Sequence, residues 1–331
     1  MKKVKLGIIG CGIAARELHL PALRKLQDKF EITMLCNHTE QKARDLSEQL
    51  GRVPYVLDYR ELLESSEVEA VDIALPIHLN FKVAKDSLLK GKHVFVEKPV
   101  TANLREARKI LSQSEASDLV MLVAENFRYR KVYLRAKELM KKGKIGKPYA
   151  AMWDLFNQVT LNSKYAKTKW RQHPKYPGAF VSDGGVHNVA ALRMLFGEFT
   201  SVKAFTKSIN PKIGSPDTMS LQFRSQSGVD GVFNIFYSVD GYWENRLLIF
   251  GSRGSIIIQE NKLMLKNNSE DDYIEEVEDD NGYIAEFTDF YNGIRKKKKV
   301  LSTPHEGLKD LEVIIAALKS AESNRSVSLT H

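Results

Sequence analysis

The sequence is poor in cysteine: Cys11 and Cys36, 25 positions apart, are the only two among 331 residues. That spacing gives neither a disulfide framework nor a paired zinc site, so the chain is expected to work in a reducing compartment, the cytoplasm. No run reaches the roughly 18 apolar residues that cross a bilayer, and the mean hydropathy is −0.31, so no membrane association is expected. Internal repeats and low-complexity tracts are missing as well. Neither sign of charge dominates regionally: 50 Lys and Arg are mixed with 41 Asp and Glu, for a net charge of +9. Without a basic field over a whole domain, nucleic acid is not an expected partner.

What is present is a chain 43% hydrophobic and 27% charged, enough to bury a large core, and about 150 residues per domain suggests two domains. The start, Lys2, Lys3 and Lys5 followed by LGIIGCGIAA, looks superficially like a signal peptide. Its glycines and the Arg16-Glu17 pair that follows fit a strand entering a glycine turn better. From 4 to 88 short apolar runs alternate with amphipathic stretches. Strands are expected at 3–9, 31–36, 70–74, 93–96 and 119–124, with helices at 14–26, 41–49, 81–89 and 104–114. This is the grammar of an α/β chain whose residues 1–124 form a Rossmann-type, doubly wound parallel sheet.

From about residue 125 the pattern changes. A helix at 131–142 is followed by strands at 149–156, 200–206, 218–223, 231–237, 245–250 and 255–259. Residues 125–331 are therefore expected to form an α+β domain with a large, mostly antiparallel open sheet. The second face of so broad a sheet needs cover, and a homodimer or homotetramer would supply it. The acidic stretch 270–280 and the basic run 295–299 are expected at solvated edges and turns.

Gly10-Cys11-Gly12-Ile13-Ala14-Ala15 follows the first strand and opens a helix, a G-x-G-x-x-A pattern. Gly10 permits a tight turn, Gly12 lets backbone approach a pyrophosphate, and Ala15 allows close helix-strand packing. In dinucleotide sites the second strand often ends in an acid that binds the adenosine ribose. Here it ends in Cys36-Asn37-His38-Thr39. An acid would repel a 2'-phosphate, whereas Asn37 and Thr39 can donate to it and His38 or Lys42 can add charge or stack on adenine, so NADP is favoured over NAD.

Two further segments carry chemistry. Glu97-Lys98-Pro99 directly follows a strand, at the carboxyl end of the sheet where ligands bind. A Lys98 ammonium there can polarise a carbonyl or stabilise an alkoxide. Asp183 and His187 are four residues apart on an expected helix, one face of which they share. A carboxylate beside an imidazole orients it as a general base. No third or fourth ligand at recognisable spacing accompanies the pair, so no metal is expected.

Together the GCGIAA turn, the segment DYRELLESSEVEAVDIALPIHLN from Asp58, KHVFVEKPV from Lys92 and GAFVSDGGVHNVAALRMLFGE from Gly178 resemble the Gfo/Idh/MocA oxidoreductases over nearly the whole chain. The resemblance implies a dehydrogenase or reductase that transfers a hydride between NAD(P) and one CH–OH carbon of a sugar, polyol or related diol. It implies catalytic roles for Lys98, Asp183 and His187. It places Gly10, Gly12, Ile13 and Ala14 at the pyrophosphate, Pro76 and His78 on the nicotinamide side, and Glu97 near the cofactor ribose. Asn80 stands where the family frequently has a histidine, and Asn37 replaces the frequent acid. Substrate contacts are expected from Arg128 and Tyr129 at the domain junction and from Tyr165, Trp170 and Arg171 in the loop before the D-x-x-x-H segment. Two other outcomes share this fold: a redox-assisted glycosidase that retains NAD, and a regulatory protein that binds dinucleotide without turnover.

Overall fold

The computed structural model describes residues 2–267 and 272–329; Glu270 and Asp271, which open the expected acidic stretch, and the last two residues lie outside them. The chain forms two compact units, one of residues 1–126 and 283–309, the other of 127–282 and 310–331. The return of 283–309 to the first unit differs from a second domain running unbroken from 125 to 331.

The first unit contains strands β1 (Val4–Ile9), β2 (Phe30–Cys36), β3 (Tyr55–Val56), β4 (Ala70–Ile73), β5 (His93–Glu97) and β6 (Met121–Ala124). All pair in parallel, in the order β3-β2-β1-β4-β5-β6. The order reverses between β1 and β4, which is the topological switch point where ligands bind in open α/β sheets. The crossovers carry α1 (Leu20–Lys25), α2 (Glu40–Gln49), α3 (Tyr59–Glu64), α4 (Ile77–Leu89) and α5 (Leu104–Glu115). β4 and β6 are buried along their whole length, as strands of a sheet covered on both faces are, and apart from Asp72 their side chains are apolar.

The other unit holds α6 (Lys131–Lys141), α7 (Lys169–Gln172) and α8 (Ala179–Phe196) with a sheet of nine strands: β7 (Pro148–Phe156), β8 (Phe199–Lys207), β9 (Thr218–Ser225), β10 (Asp230–Phe236), β11 (Glu244–Gly251), β12 (Gly254–Gln259), β13 (Lys262–Asn267), β14 (Tyr273–Glu276) and β15 (Val327–Ser328). Their order is β14-β13-β12-β11-β7-β10-β9-β8-β15, antiparallel except for the parallel pair β7 and β10. Alternate residues such as Met219, Leu221 and Phe223 on β9 and Phe233 and Ile235 on β10 face the core. There Val186 and Val189 of α8 join them in one cluster.

After the second sheet the chain returns to the first unit through α9 (Tyr283–Lys296), and α10 (Pro304–Ser323) follows. The cause lies in α9. Phe287, Phe290 and Tyr291 stand at i, i+3 and i+4, one helical face, and all three are buried. Phe287 stacks on Phe95 of β5 at 4.2 Å, and Phe290 and Tyr291 meet Phe95 and Phe30 edge-on at 5.6 and 5.8 Å. Each such buried ring contributes roughly 1.5–3 kcal/mol. Two charge expectations also change: Asp279 is no solvated edge, since its carboxylate accepts from the Lys131 amide at 3.0 Å. Arg295 makes a bidentate pair with Glu69 at 2.5 and 2.6 Å, while Lys296 to Lys299 of the basic run are largely at the surface.

Candidate active site

In the first unit, β1 delivers the chain into Gly10, whose φ is +105° and where a Cβ would overlap the Ala74 carbonyl oxygen, so no side chain is possible. Gly12 faces open space, with no atom within 4 Å of where a Cβ would stand. That is the cradle a pyrophosphate needs, so the turn fits a dinucleotide. Ile13 and Ala14 beside it are half-buried.

Asn37 behaves differently from expectation. It is 7% exposed, and its Oδ1 accepts from the Cys11 amide at 3.1 Å while Nδ2 donates to Thr39 O at 2.9 Å. Its carboxamide thus staples the glycine turn to the end of β2. The groups presented at the surface there are His38, Thr39 and Lys42. Arg16 joins them, a cation that no motif marks: Nε donates to Cys11 O at 3.1 Å and Nη2 to Lys42 O at 2.6 Å. Its five-residue offset from Cys11, just past the turn, is the one signal the sequence holds. Burial pushes the Cys11 thiol up to about 11 and the Cys36 thiol up to about 12, so both stay protonated and carry no nucleophilic chemistry.

The Glu97-Lys98-Pro99 segment leaves the end of β5, with a cis Lys98–Pro99 bond. Glu97 Oε2 accepts from the Lys98 amide at 3.0 Å. Asn80, fully buried on α4, donates from Nδ2 to Glu97 O at 2.8 Å and to Pro99 O at 3.0 Å. Asn80 therefore supports the lysine segment. Pro76 caps α4, and His78 stands half-buried in its first turn. Glu97 Oε1 lies 3.1 Å from Nε2 of His19, a buried residue that no motif or spacing singles out.

In the other unit, Asp183 is the fifth residue of α8 and is buried, one turn before the half-buried His187. Asp183 Oδ2 accepts from Arg171 Nε at 2.6 Å. The Arg171 guanidinium carbon sits 4.0 Å from the Trp170 ring centroid and 5.0 Å from that of Tyr165. So Tyr165, Trp170 and Arg171 are gathered beside the acid. The His187 ring stacks on Phe127 at 4.8 Å, which fixes its plane. Two tyrosines belong to this cluster and lack any spacing signal: burial, and then the charge of Asp183, push both the Tyr176 and Tyr237 hydroxyls up. A Cβ at Gly184 would overlap the Tyr237 hydroxyl, so glycine is needed for that close approach.

Arg128 and Tyr129, the contacts expected at the domain junction, are buried. They are 3% and 5% exposed, and Arg128 Nη2 donates to both Asp310 oxygens at 2.6 and 2.8 Å. Arg193 pairs with the same carboxylate. This is a buried ion cluster that packs the unit. Among the described residues no group of three or more His, Cys, Asp or Glu is placed to hold a metal ion, and no helix is long and apolar enough to cross a membrane.

Comparison with known proteins agrees with this architecture. Residues 4–125 match the oxidoreductase family with an NAD-binding Rossmann fold, and residues 133–257 match the GFO/IDH/MocA C-terminal domain. An uncharacterized protein of Saccharomyces cerevisiae is 32% identical, over 98% of this chain and 97% of its own length. The myo-inositol 2-dehydrogenase of Thermotoga maritima is 25% identical, with 98% of each chain covered. The crystal structure of an oxidoreductase from Thermotoga maritima superposes with a TM-score of 0.93 at 39% identity, covering 99% of this chain and 98% of that one. With both family models matched in order and a relative 32% identical over nearly its whole length, the chain belongs to the GFO/IDH/MocA oxidoreductases, with an NAD-binding Rossmann domain in its first unit.

Proposed function

We propose that this protein is a dehydrogenase or reductase that moves a hydride between a nicotinamide cofactor and a CH–OH carbon of a sugar, polyol or related diol, with NADP favoured over NAD. The observation that carries the reading is α8, where an acid anchored by Arg171 precedes a ring-stacked imidazole by one turn, in a chain that also builds a dinucleotide turn. When bound, the nicotinamide accepts or supplies the hydride. His187 takes the hydroxyl proton during oxidation and returns it during reduction. Asp183, anchored by Arg171, gives that imidazole a fixed negative neighbour. Lys98 places its ammonium against the oxygen that gains charge as the proton leaves.

Preference for NADP is supported by the end of β2. No acid stands at Asn37, and the nearby Glu40 is paired with Arg44 at 2.6 Å. Arg16, Lys42, His38 and Thr39 offer cations and donors suited to a 2'-phosphate. A sugar or polyol substrate is supported by the aromatic and guanidinium faces of Tyr165, Trp170 and Arg171. The inositol dehydrogenase relative points the same way. Assembly as a homodimer or homotetramer through the large sheet is supported by Tyr149 and Met152 on β7 and Phe205 on β8, which are 56%, 40% and 61% exposed. A cytoplasmic place of work is supported by two buried free thiols.

A screen of aldoses, inositols and diols with NADP and NAD tests the reaction. Lys98→Met and His187→Ala should each lower turnover on the substrate so found by at least about a hundredfold. Wild-type turnover in both variants would refute the assignment, and a monomer in sedimentation analysis would refute the assembly.

A further inference from the structure

The first unit contains a buried charge chain that the hydride-transfer reading leaves unused. A five-residue π-helical turn, Ala15–His19, follows the glycine turn and ends at His19. Such turns insert one extra residue, re-aim side chains and cluster at functional sites. Here the turn sends His19 inward, where it is 0% exposed. Nδ1 lies 2.9 and 3.0 Å from the two oxygens of Asp72 on β4, and Nε2 lies 3.1 Å from Glu97 Oε1 at the end of β5. A neutral imidazole has one donor nitrogen, whereas both nitrogens here face carboxylates, an arrangement that favours the imidazolium, which can donate at each end. Phe95 and Phe287 close over it edge-on at 5.5 and 5.4 Å. From α9, the fully buried Glu286 feels the charges of His19 and Glu97, and that of the buried Glu125 as well.

Stability alone is a poor reason for such a trio, because well-packed apolar side chains of similar volume are commonly as stable as a buried ion cluster. What the trio supplies is geometry. Glu97 uses one oxygen on His19 and the other on the Lys98 amide, so the carboxylate cannot rotate without releasing one of them. Asn80 holds the carbonyls on either side of Lys98.

We propose that His19 is a positioning residue for the reaction: oriented by Asp72, it pins Glu97, and Glu97 in turn fixes the main chain of Lys98. This rests on the assignment of Lys98 to the substrate oxygen. Because His19 stands on the turn that follows the glycine loop, the chain also ties the lysine segment to the dinucleotide turn within one rigid sheet.

The test uses the full chain and reads the Lys98 segment directly, by hydrogen exchange of the Lys98 amide measured with NMR in the protein without added cofactor. His19→Gln, which has one donor group where the imidazolium has two, should speed that exchange by about tenfold or more. NADPH affinity measured by calorimetry should change by less than about threefold. Glu97→Gln should speed exchange likewise, and it serves as the second variant should His19→Gln fail to fold. On the substrate from the polyol screen, His19→Gln should lower kcat by about 10–100-fold with little change in KM. It should cause no further loss in a Lys98→Met background. Unchanged Lys98 exchange in the folded variants, or losses that multiply with those of Lys98→Met, would overturn the role of His19. Full turnover by Lys98→Met alone would instead overturn the lysine assignment on which it rests.

Discussion

Arg171 donates from Nε to Asp183 Oδ2 at 2.6 Å, with the two side chains 13% and 8% exposed. The guanidinium lies over Trp170 at 4.0 Å, so charge, hydrogen bond and stacking fix the same atoms. Arg171→Met keeps most of the stem and removes the charge, leaving Asp183 largely buried without this donor. The expected cost is about 1–3 kcal/mol, read as a drop in kcat/KM of about fivefold or more. Steady-state kinetics beside a thermal melt checks it: a variant with wild-type kcat/KM would show that Arg171 serves the loop alone.

Gly184 is the second test of this region. A Cβ there would overlap the Tyr237 hydroxyl, so Gly184→Ala must displace a buried ring. Overpacking of this kind costs about 1–3 kcal/mol, measurable as a lower denaturant midpoint. Tyr237→Phe removes the clashing oxygen, and the double variant Gly184→Ala/Tyr237→Phe should recover part of the loss, a non-additivity expected only of residues in contact.

Stability should depend on pH through the first unit. Burial pushes the Glu286 carboxyl well above its ordinary value. Burial acts to lower His19, but the charge of Asp72 and the hydrogen bonds to Asp72 and Glu97 outweigh it and raise the imidazole. Both groups bind their proton more tightly when folded. Glu286 therefore contributes stability fully below the ordinary carboxyl range and His19 below about pH 6.5, and each contribution is lost as pH rises toward the folded value. Between about pH 5 and about pH 8 the wild type should lose more stability than Glu286→Gln, whose amide does not titrate. Equal slopes for the two proteins in denaturant unfolding would refute the buried, protonated carboxyl.

Cofactor choice makes a separate prediction. Arg16→Ala and Lys42→Ala should each weaken NADPH by about fivefold, the scale of one partly exposed ion pair, and leave NADH nearly unchanged. Calorimetric titration of the stripped protein with each dinucleotide checks this. Equal losses for both, or wild-type binding that favours NADH, would remove the 2'-phosphate from the end of β2.

The architecture is legible in the sequence because both units announce themselves through period and turn chemistry. Gly10 and Gly12 at the end of an apolar strand, and the short buried runs of β4, β5 and β6, leave a doubly wound parallel sheet as the simple solution. The return of α9 is less so: Phe287, Phe290 and Tyr291 make a clear helical face, but a face does not say which sheet it covers. At the site, Lys98, Asp183 and His187 stand out because each sits at a strand end or at helical spacing. Arg171 as the partner of Asp183 is invisible, since twelve residues separate them and only the folded chain closes that distance. Arg128 is the opposite case. A charged residue at a domain junction reads as a binding group until Asp310, 182 positions away, is found holding it.

The proposed hydride transfer between substrate and nicotinamide, assisted by Lys98 and His187, is measured most directly by following reduced-nicotinamide absorbance. The purified protein is offered a panel of aldoses, inositols and diols with NADP, alongside Lys98→Met and His187→Ala. The expected result is stoichiometric nicotinamide reduction with at least one carbinol, nearly abolished in both variants. Release of a free sugar with no net change in absorbance, or tight dinucleotide binding with no turnover of any kind, would contradict hydride transfer as the reaction of this site.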